Sequence, residues 1–192
     1  VKEELMNKKY EFESDRLGFR LWCDEDKVPF ARMNADSKVM QYFPNIQNKE
    51  ESDKFIERIM DHFKEHGYGL WAVEIKETQE FIGFIGFYTA TFESEFTPCV
   101  EIGWRLDHRF WNKGYATEGA INCLDYGFSI LGLNDIYSFT SRINRPSINV
   151  MKKIGLIEQS TFLHPNISKD SPLRPHVLYK IDKNTYVKNA KD

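Results

Sequence analysis

Hydrophobic positions along the chain switch between two periods, and the switches mark the elements. Arg16–Leu17–Gly18–Phe19–Arg20–Leu21 alternates polar and apolar, which predicts a half-buried first strand. Asp24 to Phe43 mixes helical stretches and turns. From Asn48 to His66 the period is helical: Phe55, Ile56, Ile59, Met60 and Phe63 share one face, and Gly67 stops the helix. Leu70 to Lys76 puts Trp71, Val73 and Ile75 on one side of a strand. A turn at Glu77 to Glu80 leads into Phe81 to Phe92, rich in aromatic and β-branched residues, so the two runs predict an antiparallel pair. Gly83 and Gly86 inside the second run suggest close backbone approach, not a dinucleotide fingerprint.

A fourth strand, Val100 to Leu106, is followed by an irregular stretch from Asp107 to Lys113. From Gly114 to about Leu131 the helical period returns, with Ala116, Ala120, Cys123, Leu124, Gly127, Phe128 and Leu131 on one face and Gly132 as terminator. Ile136 to Ser141 predicts a fifth strand. Asn144–Arg145–Pro146–Ser147 opens a short helix that ends at Gly155, because Asn and Ser suit capping and Pro suits the first turn. Two last strands, about Leu156 to Leu163 and His176 to Ile181, flank a polar loop from Pro165 to Pro175. The mixture predicts an α+β (mixed α/β) fold around one sheet of about seven strands. One domain is expected over residues 1–192, with a core of about 12–181 and a polar lead-in over Val1 to Lys9.

Composition narrows the function classes. A chain of 192 residues with 41% hydrophobic and 15% aromatic content can bury a core. Its formal charge of −3 argues against a non-specific nucleic-acid binder. Cys23, Cys99 and Cys123 are far apart and show neither metal-ligand spacing nor a disulfide framework. The charged N-terminus does not read as a secretory signal, and no run approaches the roughly 18 apolar residues of a membrane span. A reduced, cytoplasmic setting is the expectation.

The segment from Glu101 to Glu118 carries the chemistry. A strand ends, a loop turns, and a helix begins at a glycine, so free backbone N–H groups and the helix dipole favour an anion. Gly114 and Ala116 are small enough for a phosphate to approach the backbone, and Lys113 and Arg109 add charge nearby. The bland alternative is that Gly114 is simply a turn residue before an ordinary helix.

WNKGYATEG resembles the motif with which acetyltransferases of the GNAT superfamily hold the CoA pyrophosphate, Gln/Arg-x-x-Gly-x-Gly/Ala. Gly114 and Ala116 match it, and Trp111 departs from it. Trp before x-Lys-Gly-Tyr-Ala, with Asn144–Arg–Pro–Ser147 and Lys153–Ile–Gly155–Leu156 downstream, is similar to the ribosomal-protein alanine acetyltransferase branch. The resemblance implies the GNAT acyl-CoA N-acyltransferase fold. Its mostly antiparallel sheet would be flanked by helices and splayed between strands four and five, with the pantetheine arm in the gap like an added strand. It implies acetyl-CoA as co-substrate and no metal. Trp104, Arg105 and Leu106 would meet the arm. Asn112, Lys113, Gly114, Tyr115, Ala116 and Thr117 would hold the pyrophosphate, and Asn144 would hydrogen-bond near the arm.

The implied reaction is direct attack by an amine. Glu101 is the candidate base, against the alternative of a structural carboxylate. Many relatives carry a Tyr where Met151 stands, so Ser147 is the candidate partner of the departing sulfur, against the alternative of a helix cap. Tyr42, Phe43, Trp71 and Phe87 are either core or an aromatic wall of the acceptor pocket. His62, His66, His108, His164 and His176 show no metal or triad spacing and read as surface or packing residues. The acceptor is a protein N-terminal α-amine or a small amine such as an amino sugar, polyamine or amino acid. A non-catalytic acyl-CoA-binding module is the rival class. A membrane and direct nucleic-acid contact are not expected, and the end of a partly open sheet is a place for a second copy to pair.

Overall fold

The computed structural model describes residues 9–189, so the lead-in over Val1 to Lys9 lies outside it except for Lys9. The elements follow in the order β1 (Phe12–Glu13), β2 (Leu17–Arg20), α1 (Lys27–Asn34), α2 (Lys49–His66), β3 (Leu70–Ile75), β4 (Phe81–Ala90) and β5 (Cys99–Leu106). Then come α3 (Tyr115–Ser129), β6 (Asp135–Ser141), α4 (Arg145–Lys153), β7 (Ile157–Leu163), β8 (Pro175–Asp182) and α5 (Lys183–Asn189). Among the described residues the strands form one eight-stranded sheet in the order β1-β2-β3-β4-β5-β6-β8-β7. Neighbours pair antiparallel except β5 and β6, which run parallel.

The eighth strand is the two-residue β1, too short to leave a period in the sequence. It also changes the character of β2, where Leu17, Gly18 and Phe19 are all buried instead of alternating. Phe12 stacks on Phe19 with ring centroids 4.4 Å apart, and the Tyr10 ring lies over Gly18 so closely that a Cβ there would sit 2.1 Å from it. Helix α5 also lacks a signal in the sequence reading.

The two faces of the sheet are covered differently. On one, α3 packs against Ile85, Phe87 and Trp71. Gly119 and Gly127 allow this close seat, since a Cβ would stand 2.3 Å from Ile85 Cδ1 and 2.7 Å from Phe87 Cζ respectively. On the other, α1 and α2 bury Phe30, Ile56 and Ile59 against Phe84 and Leu70. Asn48 and Glu51 cap α2 reciprocally, at 2.9 and 2.8 Å, and Gly67 closes it at φ 74.

The join between β5 and β6 matters most. They pair at Glu101↔Tyr137, and Ser138 Oγ donates to the Ile102 carbonyl at 2.9 Å. Beyond that point the two strands diverge, which is the splay expected between strands four and five.

Candidate active site

The divergence opens a cavity of about 890 Å³. One wall is Gly103 to Leu106 of β5, the other Ser138 to Thr140 of β6, and the lining extends to the N-termini of α3 and α4. Backbone groups on both walls lack the ladder partners that a continuous sheet would give them.

Beside the N-terminus of α3, the preceding loop holds two left-handed residues, Asn112 at φ 61 and Gly114 at φ 82. No side chain caps α3, and its first internal bond runs from Glu118 N to the Gly114 carbonyl at 3.0 Å. The N–H groups of Tyr115, Ala116 and Thr117 therefore carry no helical partner and line the cavity with Asn112 and Gly114. A Cβ on Gly114 would meet Arg16 Nη2 at 3.4 Å on top of the strained φ. These are the properties a pyrophosphate cradle needs.

The turn is braced in part from outside that segment. Arg16 Nε bonds Glu118 Oε2 at 2.6 Å, Arg16 Nη1 donates to the Lys113 carbonyl at 3.0 Å, and the Arg16 guanidinium lies 4.4 Å from the Tyr115 ring. Trp111 Nε1 donates to the Leu106 carbonyl at 2.8 Å, tying the loop to the end of β5. Lys113 is not among the residues that line the cavity; its ammonium lies over the Phe110 ring, 5.3 Å from the centroid. Arg109 likewise spends its charge on Asp107, at 2.8 Å.

Where β5 and β6 still pair, Glu101 lines the cavity. Burial alone pushes its carboxyl up to about 8, so the group is mostly protonated at neutral pH but close to the range of a working base. Ser147 lines the cavity from the first turn of α4. It does not cap that helix. Asn144 does, through Oδ1 accepting from Ser147 N at 3.2 Å. Because Asn144 Nδ2 also donates to Thr140 Oγ1 at 2.9 Å, its amide is engaged at both ends. Met151 is buried in the core, outside the cavity lining.

The α1 and α2 side of the cavity carries Tyr42, Phe43, Phe55, Phe84 and Tyr88. Trp71 and Phe87 are not there; they are buried under α3, so the core reading holds for both. Period-two alternation turns the Arg105 side chain to this same face, away from α3. A pantetheine arm lying in the wedge would therefore meet Arg105 through its backbone. Burial lowers the Arg105 guanidinium to about 9. His164 and His176 also line the cavity, with ring centroids 5.0 Å apart. Burial lowers both, His176 to about 4. Sequence spacing missed them because the pair forms across β7 and β8. Among the described residues no cluster of metal-ligating side chains occurs, and the three cysteines are free.

A family profile described as acetyltransferase (GNAT) domain matches residues 16–157. The chain is 32% identical to YkkB of Bacillus subtilis (strain 168) over 152 residues, 79% of this chain and 87% of YkkB. It is 33% identical to the N-acetyltransferase YnaD of the same organism over 148 residues, 77% and 82% of the two chains. Among solved structures, a GNAT-family acetyltransferase from Bacillus anthracis superposes with a TM-score of 0.75 at 26% identity, over 90% of this chain and 98% of that one. Spermidine N-acetyltransferase from Vibrio cholerae, solved with CoA and spermine, shares the fold with a TM-score of 0.72 at 17% identity, over 90% and 98%. The chain belongs to the GNAT acetyltransferase family. Within it, the chain is an acetyl-CoA-dependent N-acetyltransferase. No helix among the described residues is long and apolar enough to cross a membrane.

Proposed function

We propose that the chain moves the acetyl group of acetyl-CoA to a small primary amine by direct attack, within a single domain, with Glu101 taking the proton. The observation that carries this reading is the position of Glu101 where β5 and β6 part, with a carboxyl held near 8. The donor's pyrophosphate would lie on the free amides of Tyr115, Ala116 and Thr117, beside Asn112 and Gly114. Its arm would fill the wedge and take up backbone groups of Trp104, Arg105 and Leu106.

The amine nitrogen attacks the thioester carbon, forming the C–N bond as the C–S bond breaks. The ammonium proton passes to the Glu101 carboxylate, directly or through water. The electron pair leaves on sulfur, where the Ser147 hydroxyl offers a hydrogen bond. A thiol with a pKa of roughly 8.5 leaves tolerably without a stronger acid, so the buried Met151 is no obstacle.

A small acceptor is supported by the aromatic lining of Tyr42, Phe43 and Tyr88 beside Glu101. The ribosomal-protein reading rests on the Trp111 and Asn144–Ser147 motifs, and in this structure those residues brace the loop and cap α4. Release of free CoA thiol across a panel of amines tests the proposal. Thiol release that requires an amine supports transfer. A protein that binds acetyl-CoA yet releases no thiol with any amine is the non-catalytic module instead.

A further inference from the structure

Arg105 is a buried cation that the reaction does not use. It is 8% exposed, and its Nη1 donates to Asn34 Oδ1 at 2.8 Å. Asn34 is itself fully buried and held by Ser52, which accepts from its Nδ2 at 2.9 Å. Arg105 Nε is out of contact with solvent and has no hydrogen-bond partner. Among the described residues no carboxylate pairs with this guanidinium. Its company is the rings of Phe43, Phe55 and Phe84, at 4.1, 5.4 and 5.4 Å. Aromatic faces attract a cation, but a five-donor fork with one acceptor, its Nε shut off from water and its Nη2 the end left open, is far from satisfied.

The surroundings say what would complete it. Glu101, Gly103 and Arg105 lie on the same face of β5, and all three line the cavity. A Cβ on Gly103 would have nothing nearer than Glu101 Oε1 at 4.0 Å, so an open lane runs along the strand between the two charged residues. Their Cα atoms are ~13 Å apart on an extended strand. The lane lies on the face opposite α3, so the anion it suits is not the pyrophosphate. Among the described lining residues Glu101 is the one carboxylate, with Arg105 and Lys153 as cations. A polyamine would have to bury further ammonium groups with no carboxylate to meet them.

We infer that the acceptor is a primary amine that also bears a carboxylate several bonds away, an ω-amino acid or the side-chain amine of an amino acid. The amine lies at Glu101 and the carboxylate on the Arg105 fork. This rests on the acetyl-transfer reading above and narrows its acceptor. Arg105 fixes which amine is chosen, because its planar fork matches a carboxylate through two parallel N–H···O bonds.

Matched amines test it, with CoA thiol release as the readout: 6-aminohexanoate against hexylamine, lysine against 1,5-diaminopentane, and spermidine. The intact enzyme should favour each carboxylate-bearing member by at least about 30-fold in kcat/KM, mainly through KM. Arg105→Met should bring the ratios toward one, and Arg105→Lys should keep part of the preference. Equal use of hexylamine and 6-aminohexanoate, preference for spermidine, or ratios unchanged in a folded Arg105→Met overturns the inference and leaves acetyl transfer standing. The comparison in the unaltered enzyme decides the matter even if Arg105→Met fails to fold. Binding of acetyl-CoA without thiol release from any amine overturns the acetyl-transfer reading and this inference with it.

Discussion

Replacing Glu101 by Gln removes one ionisable group and very little volume, so its effects are those of a charge. The carboxyl titrates near 8 in the folded protein, against an ordinary 4.5. At pH 7 about a tenth of the molecules then hold the ionised base, and at pH 9 about nine tenths do. The ratio of wild-type to variant kcat/KM cancels the acceptor's own titration, and it should widen about ninefold across that interval. At neutral pH the variant should be slower by about 100-fold, with partial recovery of its absolute rate as rising pH frees the amine. Stability should move the other way. Below pH 4.5 the carboxyl is protonated whether folded or not, and it costs nothing. Between 4.5 and 8 the folded state holds a proton that the unfolded chain has released, at a cost of about 1.4 kcal/mol per pH unit. Glu101→Gln should therefore match the wild type at pH 4 and exceed it at pH 7 by up to about 3 kcal/mol. Denaturant melts at the two pH values and a pH–rate series measure both arms. A flat activity ratio would remove Glu101 as the base. A variant whose advantage over the wild type is no larger at pH 7 than at pH 4 would refute the burial argument itself.

Three other substitutions probe the rest of the site. Gly114→Val must hold a β-branched residue at φ 82 with Arg16 3.4 Å from its Cβ, so acetyl-CoA affinity should fall by about tenfold or more. Calorimetric titration of the folded variant with unchanged affinity would deny the cradle. Ser147→Ala should slow turnover by about ten- to thirtyfold and leave the melting temperature alone, because the cap belongs to Asn144. Asn144→Ala should do the complementary thing and lose about 1 kcal/mol of stability. Thermal melts beside turnover numbers separate the pair, and a melting loss in Ser147→Ala with intact turnover would return that serine to a structural role.

The order of elements and their types were legible because the periods are strong. The aromatic and β-branched run after Phe81 and the seven-residue apolar face from Ala116 to Leu131 leave little choice of element. The sheet partner β1 was not legible, because two residues hold no period and its value lies in Phe12 meeting Phe19 from across a turn. Gly114 and Ala116, the proposed phosphate cradle, could be picked out locally, since such a cradle is a property of consecutive backbone groups. The support of that cradle could not, for Arg16 lies about a hundred residues from the Glu118 and Lys113 it holds. Arg105 illustrates the same limit within one strand. Alternation places it on the face of Glu101, yet only the fold reveals that Asn34 and three phenylalanines, with no carboxylate, await it there. His164 and His176 become neighbours only through the β7–β8 pairing, and Asn144 displaces Ser147 from the cap by a geometry that composition leaves undecided.

The wedge between β5 and β6 also has a bearing on solubility. A sheet ordinarily exposes adhesive backbone at its two outer rims, and here a second pair of rims opens in the middle, joined at Glu101↔Tyr137 and by the Ser138 hydroxyl. An extended segment of a neighbouring molecule could seat itself there as readily as on any outer rim. A donor whose amides occupy those rungs would close the gap from within, so acetyl-CoA would serve the empty protein as a guard against self-association as well as a source of acetyl groups. Light scattering of concentrated protein should then decline as CoA is added, at concentrations that track occupancy of the Gly114 cradle.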